Sequence, residues 1–205
     1  MNSLKLACAL ALMSPFALAP ALAEDSKPTD EAFIQRLYAR APEKQMTYAC
    51  FVRAYDAAHL ASHPKQKVSA MKLLVTAEKI PEDAKLNHSF NLGLKYRTRK
   101  GDFDSSGECG HVKVGEDESN KEPRLGCSVD CDGGGFSVEL SKDNKSVLLR
   151  VERVRIWRDD KPDEDASYDL EGGADDRVFR LDRADLSQCR ALIRDRKELV
   201  SLRSK

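Results

Sequence analysis

A period of two constrains this chain more than any other feature. Phe90, Leu92, Leu94 and Tyr96 alternate with Asn91, Gly93, Lys95 and Arg97, and Phe136, Val138 and Leu140 repeat the pattern. Successive side chains of a strand point to opposite faces, so such runs bury one face and wet the other. Residues 48–55, 68–77, 109–114, 124–131, 147–157 and 177–181 also read as extended. Asp143-Asn144 marks a hairpin between 136–140 and the following strand. In that strand Val147, Leu149 and Val151 share a face, while Val154 and Ile156 have the opposite parity. The phase slip near Glu152-Arg153 implies a β-bulge or a bend where the strand changes sheet.

Helical spacing occurs at the two ends. Thr29 or Asp30 can cap a helix whose face is Phe33, Ile34, Leu37 and Tyr38, with Pro42 ending it. A second helix is expected from about Ala184, with Leu186, Cys189 and Ile193 on one side. No alternation of strand and helix calls for a parallel sheet, and no internal repeat is visible. The expected fold is mainly β, an antiparallel sandwich or barrel of about seven strands with an N-terminal and a C-terminal helix.

The leading stretch is of another kind. Residues 1–23 carry Lys5 as their only charge, then an apolar run interrupted by Pro15 and Pro20, then Ala21-Leu22-Ala23 before Glu24-Asp25. This is the pattern of a cleaved secretory signal, and a lipoprotein signal at Cys8 does not fit, because Lys5 stands where an aliphatic residue is needed. The expected mature protein is a single disulfide-containing domain over 24–205, periplasmic or secreted, with no membrane span once the signal is cleaved. The chain has 34 basic and 34 acidic residues, so removing Lys5 leaves one more acid than base. Such a balance gives no reason to expect nucleic acid as a partner.

Of the six cysteines, Cys8 lies in the signal and Cys50, Cys109, Cys127, Cys131 and Cys189 remain. An odd set leaves at least one thiol unpaired within the chain. Cys127 and Cys131 are four extended steps apart, about 13 Å, which is too far to bond. A hairpin centred near Glu118 sets Cys109 opposite Cys127, and a slightly later centre sets it opposite Cys131. The favoured pairing is Cys109 with Cys127 and Cys131 with Cys189, leaving Cys50 as a buried free thiol.

Chemistry-bearing motifs are sparse. Asp56, His59 and His63 fall three and four residues apart, so on a helix they align as candidate ligands for a divalent metal. The competing reading makes Asp56 the cap of a two-turn helix that Pro64 ends. Residues 101–107 resemble the opening of a calcium loop, with Asp102, Asp104 and Ser106, but the twelfth position is Lys113 where a bidentate Glu is required. Gly133, Gly134 and Gly135 precede a strand and no helix, which suits a sharp turn and not a phosphate cradle. Residues 159–176 are strongly acidic, with Lys161 the lone base, while 190–205 are basic. No G-x-S-x-G, H-E-x-x-H or C-x-x-C motif is present, and no residue stands out as catalytic.

Tyr55-Asp-Ala-Ala-His-Leu-Ala-Ser-His-Pro-Lys-Gln66, followed by Val68-Ser-Ala-Met71, resembles a segment of predicted secreted proteins of Gram-negative bacteria. Gly126-Cys-Ser-Val-Asp-Cys-Asp-Gly-Gly-Gly135 and Asp176-Arg-Val-Phe-Arg-Leu-Asp-Arg183 resemble the same proteins. No activity is established for that family, so the resemblance implies export and assigns no site. The expected role is binding, as a ligand-sequestering, inhibitory or envelope-associated module for an unknown protein or small molecule. The alternative is metal or thiol-redox chemistry at Asp56, His59 and His63 or at the unpaired cysteine. No cofactor is expected beyond that candidate metal.

Overall fold

The computed structural model describes residues 30–42, 45–80, 86–114, 122–158, 167–194 and 199. The expected signal at 1–23 lies outside them. Among the described residues nine antiparallel strands form one sheet: β1 (Met46–Ala54), β2 (Val68–Lys79), β3 (Leu86–Tyr96), β4 (Asp102–Val114), β5 (Glu122–Ser128), β6 (Gly134–Leu140), β7 (Ser146–Arg158), β8 (Ser167–Glu171) and β9 (Val178–Ala184). Strands β1 to β7 pair in succession except across β1–β7, where β9 pairs with both and closes the ladder into a ring. β8 is added to the second half of β7.

The fold is therefore mainly β and antiparallel, with nine strands where about seven were expected. Two of the differences have one cause. β8 and the first half of β4 are built from acidic and small polar residues, yet they keep the period of two. Leu170 is buried between exposed Asp169 and Glu171, and Phe103 and Ser105 are buried between Asp102, Asp104 and Ser106. Residues 102–107 are thus strand and not a calcium-type loop. Asp102 pairs with Lys95 at 3.2 Å and Asp104 with Arg194 at 2.8 Å.

The helices also differ in placement. Helix α1 (Asp30–Tyr38) stands where the sequence puts it, with Phe33, Ile34, Leu37 and Tyr38 buried. A short helix α2 (Ala57–Ser62) joins β1 to β2. The expected C-terminal helix is one α-turn, α3 (Leu186–Cys189), followed by a 3-10 turn (Arg190–Leu192). Ile193 is then extended, but Cys189 and Ile193 still share a buried face.

The phase slip in β7 is a bulge. Gly135 pairs with Arg153 and Phe136 with Val151, so Glu152 is the extra residue. The slip keeps Val154 and Ile156 on the same buried side as Val147, Leu149 and Val151. At this point β7 also exchanges β9 for β8 as its neighbour. Gly134 follows the 130–133 turn with φ 74°, and a side chain there would meet the Arg153 carbonyl, so the position requires glycine.

One hydrophobic cluster fills the ring. Phe51, Leu73, Phe90, Leu92, Leu125, Val138, Leu149, Phe179 and Leu181 pack inside it together with the apolar face of α1. Each such side chain contributes about 1.5–3 kcal/mol on full burial. α1 covers one end, where the Arg183 guanidinium binds its C-terminal carbonyls of Leu37 (2.8 Å) and Arg36 (3.1 Å). The other end is crossed by the β7–β8 ladder, with Tyr168 edge-on to Phe103 and Arg99 between the Tyr96 and Tyr168 rings.

Two disulfides are formed among the described residues. Cys109 and Cys127 face each other across β4 and β5, as a hairpin centred near Glu118 requires. The second bond corrects the expected pairing: Cys189 joins Cys50 and not Cys131, so Cys50 is bridged and Cys131 is the free, exposed thiol. Cys50 lies on the outer face of β1, where α3 packs with Leu74 and Ile193 in a small second cluster. Two such bonds point to an oxidising compartment.

Candidate functional site

The outer face of the ring carries a cleft of about 750 Å³ across β4, β5, β6, β7 and β9. Its floor is low because the sequence places Gly126 and Ser128 on β5 and Gly135 and Ser137 on β6 at outward positions. Gly126 has a packing reason as well, since a Cβ there would lie 2.9 Å from Cγ1 of Val112. Val112 and Val178 stand at the cleft's two sides and are 37% and 40% exposed, two of the three exposed large apolar residues described. Both valines border the same concavity.

Arg124, Arg150 and Arg177 line this cleft together with Glu152. Beside them Glu139 receives both Arg124 (2.9 Å) and Arg150 (3.3 Å). Asp182, farther round the ring, is shared in the same way by Arg53 (2.8 Å) and Arg180 (3.1 Å). Each carboxylate is outnumbered by its arginines. The Nε atoms of Arg53 and Arg124 are buried without a hydrogen-bond partner, so neither network satisfies all its donors. A surface with accessible Arg150 and Arg177 and two exposed valines can bind; nothing in it resembles a nucleophile with its base.

The residues singled out by sequence lie elsewhere. Asp56 caps α2, its Oδ1 accepting the His59 backbone N–H at 2.7 Å. The His59 and His63 rings stack at 4.1 Å, and His59 also lies 4.7 Å from the Tyr55 ring. His59 Nε2 is bonded to Gln66 Oε1 at 3.0 Å, and His63 Nδ1 lies 2.9 Å from the His59 carbonyl. Stacked rings do not aim their lone pairs at a common point. The Arg97 guanidinium sits on the carbonyls of Leu60, His63 and Gln66 at the C-terminal end of α2. Asp56, His59 and His63 thus serve the helix cap, and among the described residues no three His, Cys, Asp or Glu side chains gather as a metal site.

Cys131 occupies a left-handed position (φ 54°) in the 130–133 turn, whose shape Arg155 supports by donating to the Cys131 carbonyl at 3.3 Å. Of the acidic stretch 159–176, residues 159–166 lie outside the described residues. Asp176 is buried and accepts the backbone N–H groups of Lys67 (2.8 Å) and Val68 (3.3 Å), while Asp175 accepts that of Lys65 (3.0 Å). These carboxylates tie the α2–β2 connection to the β8–β9 turn.

Sequence reasoning missed one buried polar pair. His88, inside the ring, lies 3.0 Å through Nδ1 from the Tyr38 hydroxyl of α1, and His111 is edge-on to it at 5.6 Å. Burial, reinforced by His111, lowers the His88 pKa to about 4, and burial raises that of Tyr38. Neutral His88 and the Tyr38 hydroxyl thus share one hydrogen bond, whose donor is set by the imidazole tautomer. A lone histidine in an alternating apolar strand was the only signal available, and it reads equally well as core.

No helix among the described residues is long and apolar enough to cross a membrane. Searches against family models, curated proteins and solved structures returned no match.

Proposed function

We propose that the protein is an exported, periplasmic module that acts by binding, and that it binds on the outside of the ring. The observation that carries this reading is the contrast between a packed interior, covered at both ends, and the open cleft on the outer face. The sequestering of a small molecule inside the ring, one of the roles the sequence allows, finds no support in that packing. Contact with a partner, as an inhibitor or an envelope-associated protein, fits the arginines and the two exposed valines. The signal-like leader, the resemblance to secreted Gram-negative proteins and the two disulfides support export. Crosslinked capture from periplasmic extract tests the reading, with wild type compared with a Val178→Asp, Arg150→Glu variant. A partner lost by the variant is the expected result. Capture unchanged by the variant, or a small molecule released from the purified wild type on denaturation, would overturn it.

A further inference from the structure

We infer that the cleft's occupant is an extended acidic segment of a partner protein, lying across β4 to β9 with its carboxylates on Arg150 and Arg177. This rests on the binding reading and adds to it the partner's chemistry. Four spacings between five neighbouring strands span about 19 Å, the length of about six extended residues. The glycine and serine floor admits a main chain close to the sheet, because no long side chain rises from Gly126, Ser128, Gly135 or Ser137. Val112 and Val178 offer apolar contact at the two sides. Between them Arg150 is partly exposed and Arg177 exposed, so both can reach incoming carboxylates, which arginine engages in a two-pronged, planar contact, while Arg124 stays on Glu139. An acidic chain with interspersed apolar residues matches both features at once. A nucleic acid would match only the charge.

Fluorescence anisotropy on the purified full chain tests this with labelled (Glu-Val)6, (Gln-Val)6 and (Lys-Val)6 peptides. (Glu-Val)6 should bind at least tenfold tighter than (Gln-Val)6, weaken with added salt, and lose at least tenfold in an Arg150→Gln, Arg177→Gln variant. Arg190→Gln, outside the cleft, should leave binding unchanged. Should the double variant fail to fold, the peptide comparison and the salt dependence of the wild type still decide. Equal affinity for the three peptides, loss with Arg190→Gln alone, or a single-stranded oligonucleotide displacing (Glu-Val)6 at lower concentration would each overturn the inference. If the peptides fail while partner capture still depends on Val178 and Arg150, the binding reading stands and only the acidic partner falls.

Discussion

The interior of the ring and the strap on its outer face are each closed by one disulfide, and the two bonds act differently. Cys109–Cys127 joins neighbouring strands that are already hydrogen-bonded, 18 residues apart in sequence. Cys50–Cys189 holds the C-terminal strap against β1 across 139 residues, where the supporting cluster has, among the described residues, four buried members: Cys50, Leu74, Cys189 and Ile193. Loop-closure entropy alone assigns about 3 kcal/mol to the first and about 5 kcal/mol to the second. The inner bond lies within the main core, whereas the strap is held by the small second cluster, the Arg194–Asp104 pair and the Lys72–Gln188 hydrogen bond.

The largest effect should come from separating these two regions. A Cys50→Ala, Cys189→Ala variant is expected to lose about 5 kcal/mol, with amide exchange of α3 and the 3-10 turn rising to unprotected rates while β3 stays protected. A Cys109→Ala, Cys127→Ala variant should lose about 3 kcal/mol in denaturant titration and leave α3 protection intact. Equal losses, or a strap that stays ordered without its bond, would collapse the distinction.

Acid should act on the interior first. The His88 pKa is lowered from an ordinary 6.5 to about 4, so the unfolded chain takes up a proton in that window and the folded one does not. Stability is complete above pH 6.5 and is lost as pH falls towards 4, by about 3 kcal/mol in all. Urea titrations across this window should show that slope, and His88→Asn should flatten it. The smallest effect is expected at the contact of strap and sheet. In Gly93→Ala the new Cβ would meet Cδ2 of Leu192 at 2.8 Å, the end of a flexible side chain on a half-buried turn. The cost should be about 1 kcal/mol or less, read as a small drop in melting temperature.

The parts of the fold that were legible in the sequence are those carried by local pattern. The alternation in β3 and β6, the Asp143-Asn144 turn, the parity change at Glu152 and the Cys109–Cys127 facing all follow from neighbours within about twenty residues of one another. The parts that were not legible depend on distance or on charge that masks a pattern. Nothing near Cys50 announces Cys189, because their meeting depends on the whole ring closing first. β8 alternates Tyr168 and Leu170 with Asp169 and Glu171, but the acidity around it reads as loop. The cleft was the least legible feature of all. Glycine, serine, arginine and valine are unremarkable on any exposed strand, and only the joint register of β4, β5, β6, β7 and β9 assembles them.

Site-specific photocrosslinking in the exporting host tests the central claim most directly, with a photoreactive residue at Val178 in the cleft and, in a second strain, at Arg190 on the strap. A defined adduct from position 178 and none from 190 is the result predicted for a protein that binds through its outer cleft. Adducts from 190 alone, or none from 178 under conditions where 190 reacts, would contradict it.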